Sequence, residues 1–468
     1  MTHTVRGLLY AGAFALLSAC AVGPNYRKPE IKPAPAFKEQ GDWKPSEPND
    51  VLNRGAWWQI YNDEVLNQLE SQVEISNLNV KAAAASYEEA RALLSQAQAA
   101  YWPTVSASAS RQRTVVRSGP PLTQTQTLNS AGARGSWTID LWGQIRRSTE
   151  GSLASAQASE AALAGARLSA QAELATVYFE LRVQDQLQNI LNDIVAADEA
   201  SLKITQNRYR VGVAAKADVV SAQTQLLSSQ SQQINATVTR ATLEHAIAVL
   251  IGQEPANFAQ APAPMRTDVP TVPAGIPSTL LERRPDIAQA ERQVAAANAQ
   301  IGVAETAFFP SLTLSGSDNY SDNTISQLLH ASNQVWSIGP ALALTIFDGG
   351  LRRAKIRAAK ASWEISVDNY RQTVLTGFQD VEDQLVTLRV LEKQAVIADE
   401  EVKAAREAES LTLNQYKAGT APYSSVITSQ TARLAAEEGA LTVLSNRLKA
   451  SIALIQDLGG GWDAAQLK

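Results

Sequence analysis

Cysteine is nearly absent from this 468-residue chain: Cys20 stands alone, so neither an internal disulfide nor a cysteine-rich metal site can form. Histidine is almost as scarce, with His3, His245 and His330 far apart in sequence. Most metal and acid–base chemistry thereby lacks its usual ligand or proton carrier. An excess of positive charge is missing too. The 41 Lys+Arg stand against 46 Asp+Glu, a formal net charge of −5, which excludes a dedicated nucleic-acid binder. After the leader no apolar run reaches the roughly 18 residues of a spanning helix, so any membrane crossing must be made by β-strands. With 45% hydrophobic and 19% charged residues the chain is too apolar for disorder. It does not read as an enzyme, and no cofactor is expected.

The leader carries the address. Arg6 precedes the apolar run Gly7–Leu17, followed by Leu17-Ser18-Ala19-Cys20. A short apolar run behind a positive end is a secretory signal. The last four residues match the bacterial lipobox, in which the first mature thiol is diacylated before cleavage. This predicts a signal peptide over 1–19 and a lipid anchor at Cys20, each buried CH₂ contributing about 0.8 kcal/mol. Ala21, rather than Asp, at the second mature position predicts export onward to the outer membrane. Losing Arg6 makes the mature charge −5 − 1 = −6.

Two Pro-rich stretches, 24–48 and 255–277, read as extended connectors. The segments downstream of the two connectors are similar. Tyr101-Trp102-Pro103 matches Phe308-Phe309-Pro310, Gly143 with Arg146-Arg147 matches Gly349 with Arg352-Arg353, and Asn207, Tyr209 and Gly212 match Asn414, Tyr416 and Gly419. The offset stays at 206 to 207, as in 310 − 103 = 207 and 349 − 143 = 206, which is a tandem duplication. The expected domains are a lipid-anchored extended segment over 20–55, a first repeat over 56–251, a linker over 252–278, a second repeat over 279–458 and a tail over 459–468.

Each repeat reads as helix, two strands, long helix, turn, helix. The pre-strand helices are expected over about 64–101 and 279–308. Between them and the long helices the pattern alternates: Val105, Ala107 and Ala109 oppose Ser106, Ser108 and Ser110, and Trp137, Ile139 and Leu141 oppose Ser136, Thr138 and Asp140. Leu312 and Leu314 oppose Thr313 and Ser315, while Trp336, Ile338, Leu342, Leu344 and Ile346 oppose Ser337, Ala341, Ala343 and Thr345. Apolar/small-polar alternation is the mark of transmembrane strands around a wet interior; a half-buried soluble sheet is the competing reading. Pro340 is a blemish, because proline cannot donate to a ladder. Segments 114–129 and 319–334 read as extracellular loops. Four strands cannot close a barrel and open edges in lipid are forbidden, so the chain must oligomerise: two copies give 8 strands, three give 12.

No proline interrupts 144–210 or 351–417, which predicts helices of about 100 Å each. Gly212 and Gly419 then turn the chain into shorter helices, about 216–251 and 423–457. The steps in Val374, Phe378, Val381, Leu385 and Leu388 form a coiled-coil seam.

With these features the chain resembles the bacterial outer membrane factor family of TolC-like efflux channels, and within it the NodT-type lipoproteins. The matching residues are Leu17–Cys20; Trp57-Trp58 with Tyr61, Asp63 and Leu66; Arg283-Arg284-Pro285-Asp286-Ile287; Phe309-Pro310; Phe347-Asp348-Gly349-Gly350; Asn414, Tyr416 and Gly419; and Leu458-Gly459-Gly460-Gly461-Trp462. The resemblance implies a mainly α homotrimer, with a 12-stranded outer-membrane β-barrel continuous with a periplasmic α-helical barrel. It implies docking to a periplasmic adaptor and an inner-membrane proton-driven transporter, for drug efflux; a type I secretion duct, a metal-efflux duct and a non-conducting rod remain alternatives. It puts the periplasmic entrance and adaptor contact at Tyr209, Arg210, Gly212, Asp218, Tyr416, Lys417, Gly419, Ser425 and Thr428. Relatives commonly carry acids on the last entrance helix; Ser425 and Thr428 are neutral, leaving Asp218 as the candidate gate carboxylate, against a plain helix-start acid. Arg210 and Lys417 either link neighbouring helices or are solvated. Trp102, Trp137, Trp142 and Trp336 are expected in an interfacial belt or in packing. The acidic run from Asp399 to Glu409 reads as a solvated face, with lining of the tunnel the competing reading, and His245 beside Glu244 is assigned no metal role.

Overall fold

The computed structural model describes residues 21–40, 56–117, 123–265, 269–270, 272 and 277–467. The signal segment and Cys20 lie outside them, as do 41–55 and parts of the second Pro-rich stretch. Helices α1 (Glu64–Ser76), α2 (Leu78–Ala99), α3 (Gln144–Arg210) and α4 (Lys216–Leu250) flank strands β1 (Thr104–Arg117) and β2 (Thr123–Ile139). Then α5 (Pro277–Arg283), α6 (Pro285–Thr306), α7 (Leu351–Ala418) and α8 (Tyr423–Asp457) flank β3 (Ser311–Asp322) and β4 (Gln334–Ala343). No described helix is long and apolar enough to cross a membrane.

The expected pre-strand helices are each broken. Asn77 separates α1 from α2: its Oδ1 accepts from the backbone N–H of Asn79 (2.9 Å) and Val80 (3.1 Å), starting α2, while its Nδ2 donates to the Leu250 carbonyl (2.8 Å). Arg284 separates α5 from α6, since a residue before proline avoids helical backbone and Pro285 suits the first helical position. The strands run further than alternation suggests at the ends joined by 114–129 and 319–334 and stop sooner at the other ends: β2 closes at Ile139, before Leu141, and β4 at Ala343, before Leu344 and Ile346. Most of 114–129 is strand rather than loop, and β3 and β4 take up the ends of 319–334.

The chain divides into two compact units. One holds the chain up to Glu30, Ser86–Glu160 and Gln289–Arg371, and contains all four strands. They form one antiparallel sheet in the order β1-β2-β3-β4, with β2 joined to β3 through eleven pairs from Asn129↔Asp322 to Ile139↔Leu312. The register sorts the two faces. Rows such as Thr104–Ser136–Ser315–Gly339 collect small and hydroxyl side chains, and rows such as Ile139–Leu312–Leu342 collect apolar ones. Pro340 sits on the edge strand β4, where one side of the backbone has no neighbouring strand among the described residues. The N-terminal segment is strapped to this unit. Val22 N–H donates to the Trp142 carbonyl (3.0 Å), and the buried Arg147 guanidinium donates to the carbonyls of Val22 and Gly23 (3.1 Å each) and to Asn25 Oδ1 (2.8 Å). Trp142 is tied into packing, not left on an outer face: its Nε1 donates to the Pro310 carbonyl (2.7 Å) and its ring stacks on Phe309 at 4.8 Å. Trp102 and Trp336 stay exposed.

The second unit holds Ile31–Ala85, Ala161–Ala288 and Gln372–Lys468. Asp63 caps α1 with Oδ1 on the N–H groups of Val65 and Leu66 (3.0 Å each), while its Oδ2 accepts from the Tyr178 hydroxyl (2.8 Å). Trp57, Leu66, Tyr178 and Leu181 are buried. Arg284 is clasped by Asp286 (2.8 Å), Asp380 (3.3 Å) and Asp457 (3.6 Å), and Gly377 leaves room for its guanidinium. Gly459, at φ +91°, ends α8 where any Cβ would run into the Arg283 carbonyl. Of the expected seam, Val374, Val381, Leu385 and Leu388 are buried and Phe378 is half-buried.

Candidate functional site

The nine expected entrance residues fall at the ends of two helical hairpins, α3–α4 and α7–α8, built alike. At the first turn Gly212 N–H donates to the Tyr209 carbonyl (3.0 Å) and Val213 N–H to the Arg208 carbonyl (2.8 Å); at the second, Gly419 donates to Tyr416 (3.0 Å) and Thr420 to Gln415 (3.0 Å). Gly212 has φ +78° and Gly419 φ +80°. These are helix C-caps that need the left-handed backbone glycine tolerates.

The side chains around the two turns differ. Tyr209 is 45% exposed and Tyr416 3%. Tyr416 packs on Tyr423 with ring centroids 5.2 Å apart, in a cluster with Ala222, Val426, Leu202 and Leu413. The Tyr416 hydroxyl donates to Thr205 Oγ1 (3.3 Å). Burial pushes the Tyr423 hydroxyl well above the usual range, with the charges of Asp198 and Asp218 adding to the effect. Asp218 lies half-buried in the first turn of α4, where the helix dipole favours a carboxylate. Ser425 is half-buried and Thr428 exposed, its hydroxyl returned to the Ser424 carbonyl (3.0 Å).

A cation that joins the two hairpin ends is one that sequence reasoning passed over. Arg208 Nη1 donates to the Lys417 carbonyl (2.8 Å), and its guanidinium lies 4.9 Å from the Tyr416 ring centre. Arg210 and Lys417 have exposed side chains; Arg210 donates to Asn207 Oδ1 (2.5 Å), on its own helix. The one available signal for Arg208 was its place shortly before a capped glycine turn, which aims it at the neighbouring hairpin.

Further along the hairpins a polar seam is buried. Asp198 accepts from the Ser229 hydroxyl (2.7 Å), and burial raises its pKa. Glu409 departs from the solvated acidic face expected of it: it is buried and paired with Arg433 (2.8 Å), which also reaches Glu437 (3.1 Å). Arg406 completes the group on Glu437 at 2.7 Å. The exposed remainder, Asp399 to Glu401 and Glu407, fits a solvated face. Glu244 accepts from Arg240 (3.4 Å), one turn earlier on the same helix.

A model of the outer membrane efflux protein family matches residues 69–253 and 276–460. The chain is 29% identical over 455 residues to the probable efflux pump outer membrane protein TtgC of Pseudomonas putida, covering 96% of this chain and 94% of that protein. It is 30% identical over 457 residues to Nodulation protein T of Rhizobium leguminosarum bv. viciae, covering 97% and 93%. Its fold matches the outer-membrane channel OprN with a TM-score of 0.86 at 28% identity, over 95% of this chain and 100% of that one. A family model spanning both halves, with relatives aligned nearly end to end, makes this chain a member of the outer membrane efflux protein family.

Proposed function

We propose that three copies of this chain form a passive duct, which carries small toxic compounds from an inner-membrane, proton-driven transporter through the periplasm and across the outer membrane. The observation that carries the reading is the four-stranded sheet whose edges, β1 and β4, have no further strand beside them among the described residues. An unpaired strand edge is not tolerated in lipid, so β4 of one copy needs β1 of the next. Trp336, Ile338, Leu342, Leu344 and Ile346 are all exposed in the single chain. Ten residue steps of about 3.3 Å, tilted by about 40°, span about 25 Å, the height of a lipid-facing band. Twelve strands leave a lumen and eight nearly fill one, which favours three copies.

The helices support the same assembly. Val220, Leu227 and Ile234 on α4, and Val390, Ile397 and Leu411 on α7, are exposed at multiples of seven residues, the spacing of seams that pair with another helix. Helices of about 100 Å reach through a periplasm. The repeated element order and the twice-matching family model support a tandem repeat. The hairpin ends, with exposed Tyr209, Arg210 and Lys417, are the surface offered to a periplasmic adaptor, whose binding opens the duct only through unequal contacts with its closed and open states. The strap supports lipidation at Cys20, because it fixes the next residues beside Trp142 and Gly143. The protein itself performs no chemistry.

The test is extraction and conductance. A heat-modifiable trimer in detergent, giving discrete conductance in planar bilayers, is the expected result. A monomer released from the membrane by loss of the lipid anchor alone would overturn the reading in favour of a tethered rod.

A further inference from the structure

We propose that Arg134 forms, once per subunit, a ring of guanidinium groups on the lumen wall that binds phosphate- and carboxylate-bearing anions. The inference rests on the trimeric duct above and adds a charge filter within the strands, far along the chain from the hairpin ends.

The register places the residue. Arg134 is opposite Ser106 on β1 and Ser317 on β3, and Ser317 is opposite Ser337 on β4. This row belongs to the hydroxyl-lined face, together with Thr104, Ser108, Ser136 and Ser315. Among the described strand residues Arg134 is the only charged one on that face. Asp318 is opposite Ala133 and Trp336, on the other face, and its carboxylate accepts from Gln334 Nε2 (2.9 Å). Asp322, opposite Asn129, shares that outer face, as do Arg111 and Arg113. The β1–β2 connection, Ser118-Gly-Pro-Pro-Leu122, carries no charge in sequence, and neither does Asn323–Ala331 unless His330 is protonated.

Arg134 is exposed, and its guanidinium makes no hydrogen bond or ion pair among the described residues. Residues 104–139 and 311–343 contain Arg111, Arg113, Arg117 and Arg134 against Asp318 and Asp322, 4 − 2 = +2, in a chain of net −5. The strand region is therefore cationic where the whole chain is acidic.

Geometry makes the ring effective. Twelve strands about 4.8 Å apart and tilted by about 40° give a backbone radius of about 12 Å. An arginine reaching about 6 Å inward stands about 6 Å from the axis by the same estimate, within the Debye length of about 10 Å at 0.1 M salt but beyond the 3 Å at 1 M. Rings of Arg or Lys select anions in pores, and the guanidinium fork fits phosphate and carboxylate oxygens in pairs.

The experiment uses full-length trimers in planar bilayers under a KCl gradient centred on 0.1 M, with inositol hexakisphosphate added on the barrel side as the blocking probe. Arg134→Ser matches the serines across both neighbouring strands, so the sheet accommodates it, and an intact trimer band verifies assembly. Its reversal potential is expected to shift toward that of K⁺, with block weakened at least tenfold. Arg134→Lys is expected to keep the reversal potential and lose part of the block. In 1 M salt the variants and the parent should converge. A conducting Arg134→Ser channel with unchanged reversal potential and block overturns the ring and leaves the duct standing. A parent trimer that never conducts overturns the duct and the ring together.

Discussion

Replacing Arg284 by methionine removes the centre of a charge cluster at the start of the second half. The guanidinium, 10% exposed, faces three carboxylates at 2.8, 3.3 and 3.6 Å. Asp286 and Asp380 are open enough for water to screen them, but Asp457 is only 17% exposed. Stranding one buried partner of an ion pair costs about 3–5 kcal/mol, and the two screened acids argue for about 3 kcal/mol at alkaline pH. Burial has already raised the Asp457 carboxyl to about 7, against the lowering pull of Arg284. That value lies above the unfolded pKa of about 3.9, so protonation of Asp457 favours the fold at low pH, and this contribution disappears as pH rises through the folded pKa. Without Arg284 the folded pKa climbs further, and the deficit opens as Asp457 is forced to ionise. Thermal unfolding followed by circular dichroism at pH 5 and pH 8 should therefore show a small loss at pH 5 and most of the loss at pH 8. Equal destabilisation at both values would refute the electrostatic reasoning and leave only lost packing.

Three further outcomes are expected of the hairpins and the helix break. Asp218→Asn is expected to raise resting conductance or weaken cation preference in bilayers; an unchanged channel removes Asp218 from the gate. Arg208→Met should cost about 1–2 kcal/mol, from one charged hydrogen bond and one cation–π contact, and should speed chymotryptic cleavage after Tyr209. Asn77→Ala should cost about 2–3 kcal/mol by removing a helix cap and a buried hydrogen bond, seen as an earlier thermal transition with the secondary structure of the folded state unchanged.

The long helices were legible because an uninterrupted run without proline and a closing glycine mark their length, and the expected ends near 210 and 417 lie within a residue of those observed. The break at Asn77 was not. An asparagine in a helical pattern looks like surface, and the carbonyl it bonds lies 173 residues away. Strand ends were missed where both faces turn polar: Arg111, Gln112 and Arg113 keep the pleat but lose the apolar alternation. Glu409 looked solvated beside its acidic neighbours, and only the approach of Arg433 from α8 explains its burial. At the hairpin ends the glycine turns were readable, whereas the choice of Arg208 over Arg210 depends on how one helix is rotated against the next.

The pairing of β2 with β3 sets a rule for change along this chain. These strands come from different halves yet keep eleven residues in register, so a single inserted or deleted residue in either would exchange the serine-rich and leucine-rich faces of everything beyond it. Mutational scanning should find the middle of the sheet intolerant of any shift in length while accepting many swaps of like character, and tolerance for added residues should collect in the outward hairpin connections. The two halves are thereby obliged to change together along the strands they share and are freer to diverge elsewhere.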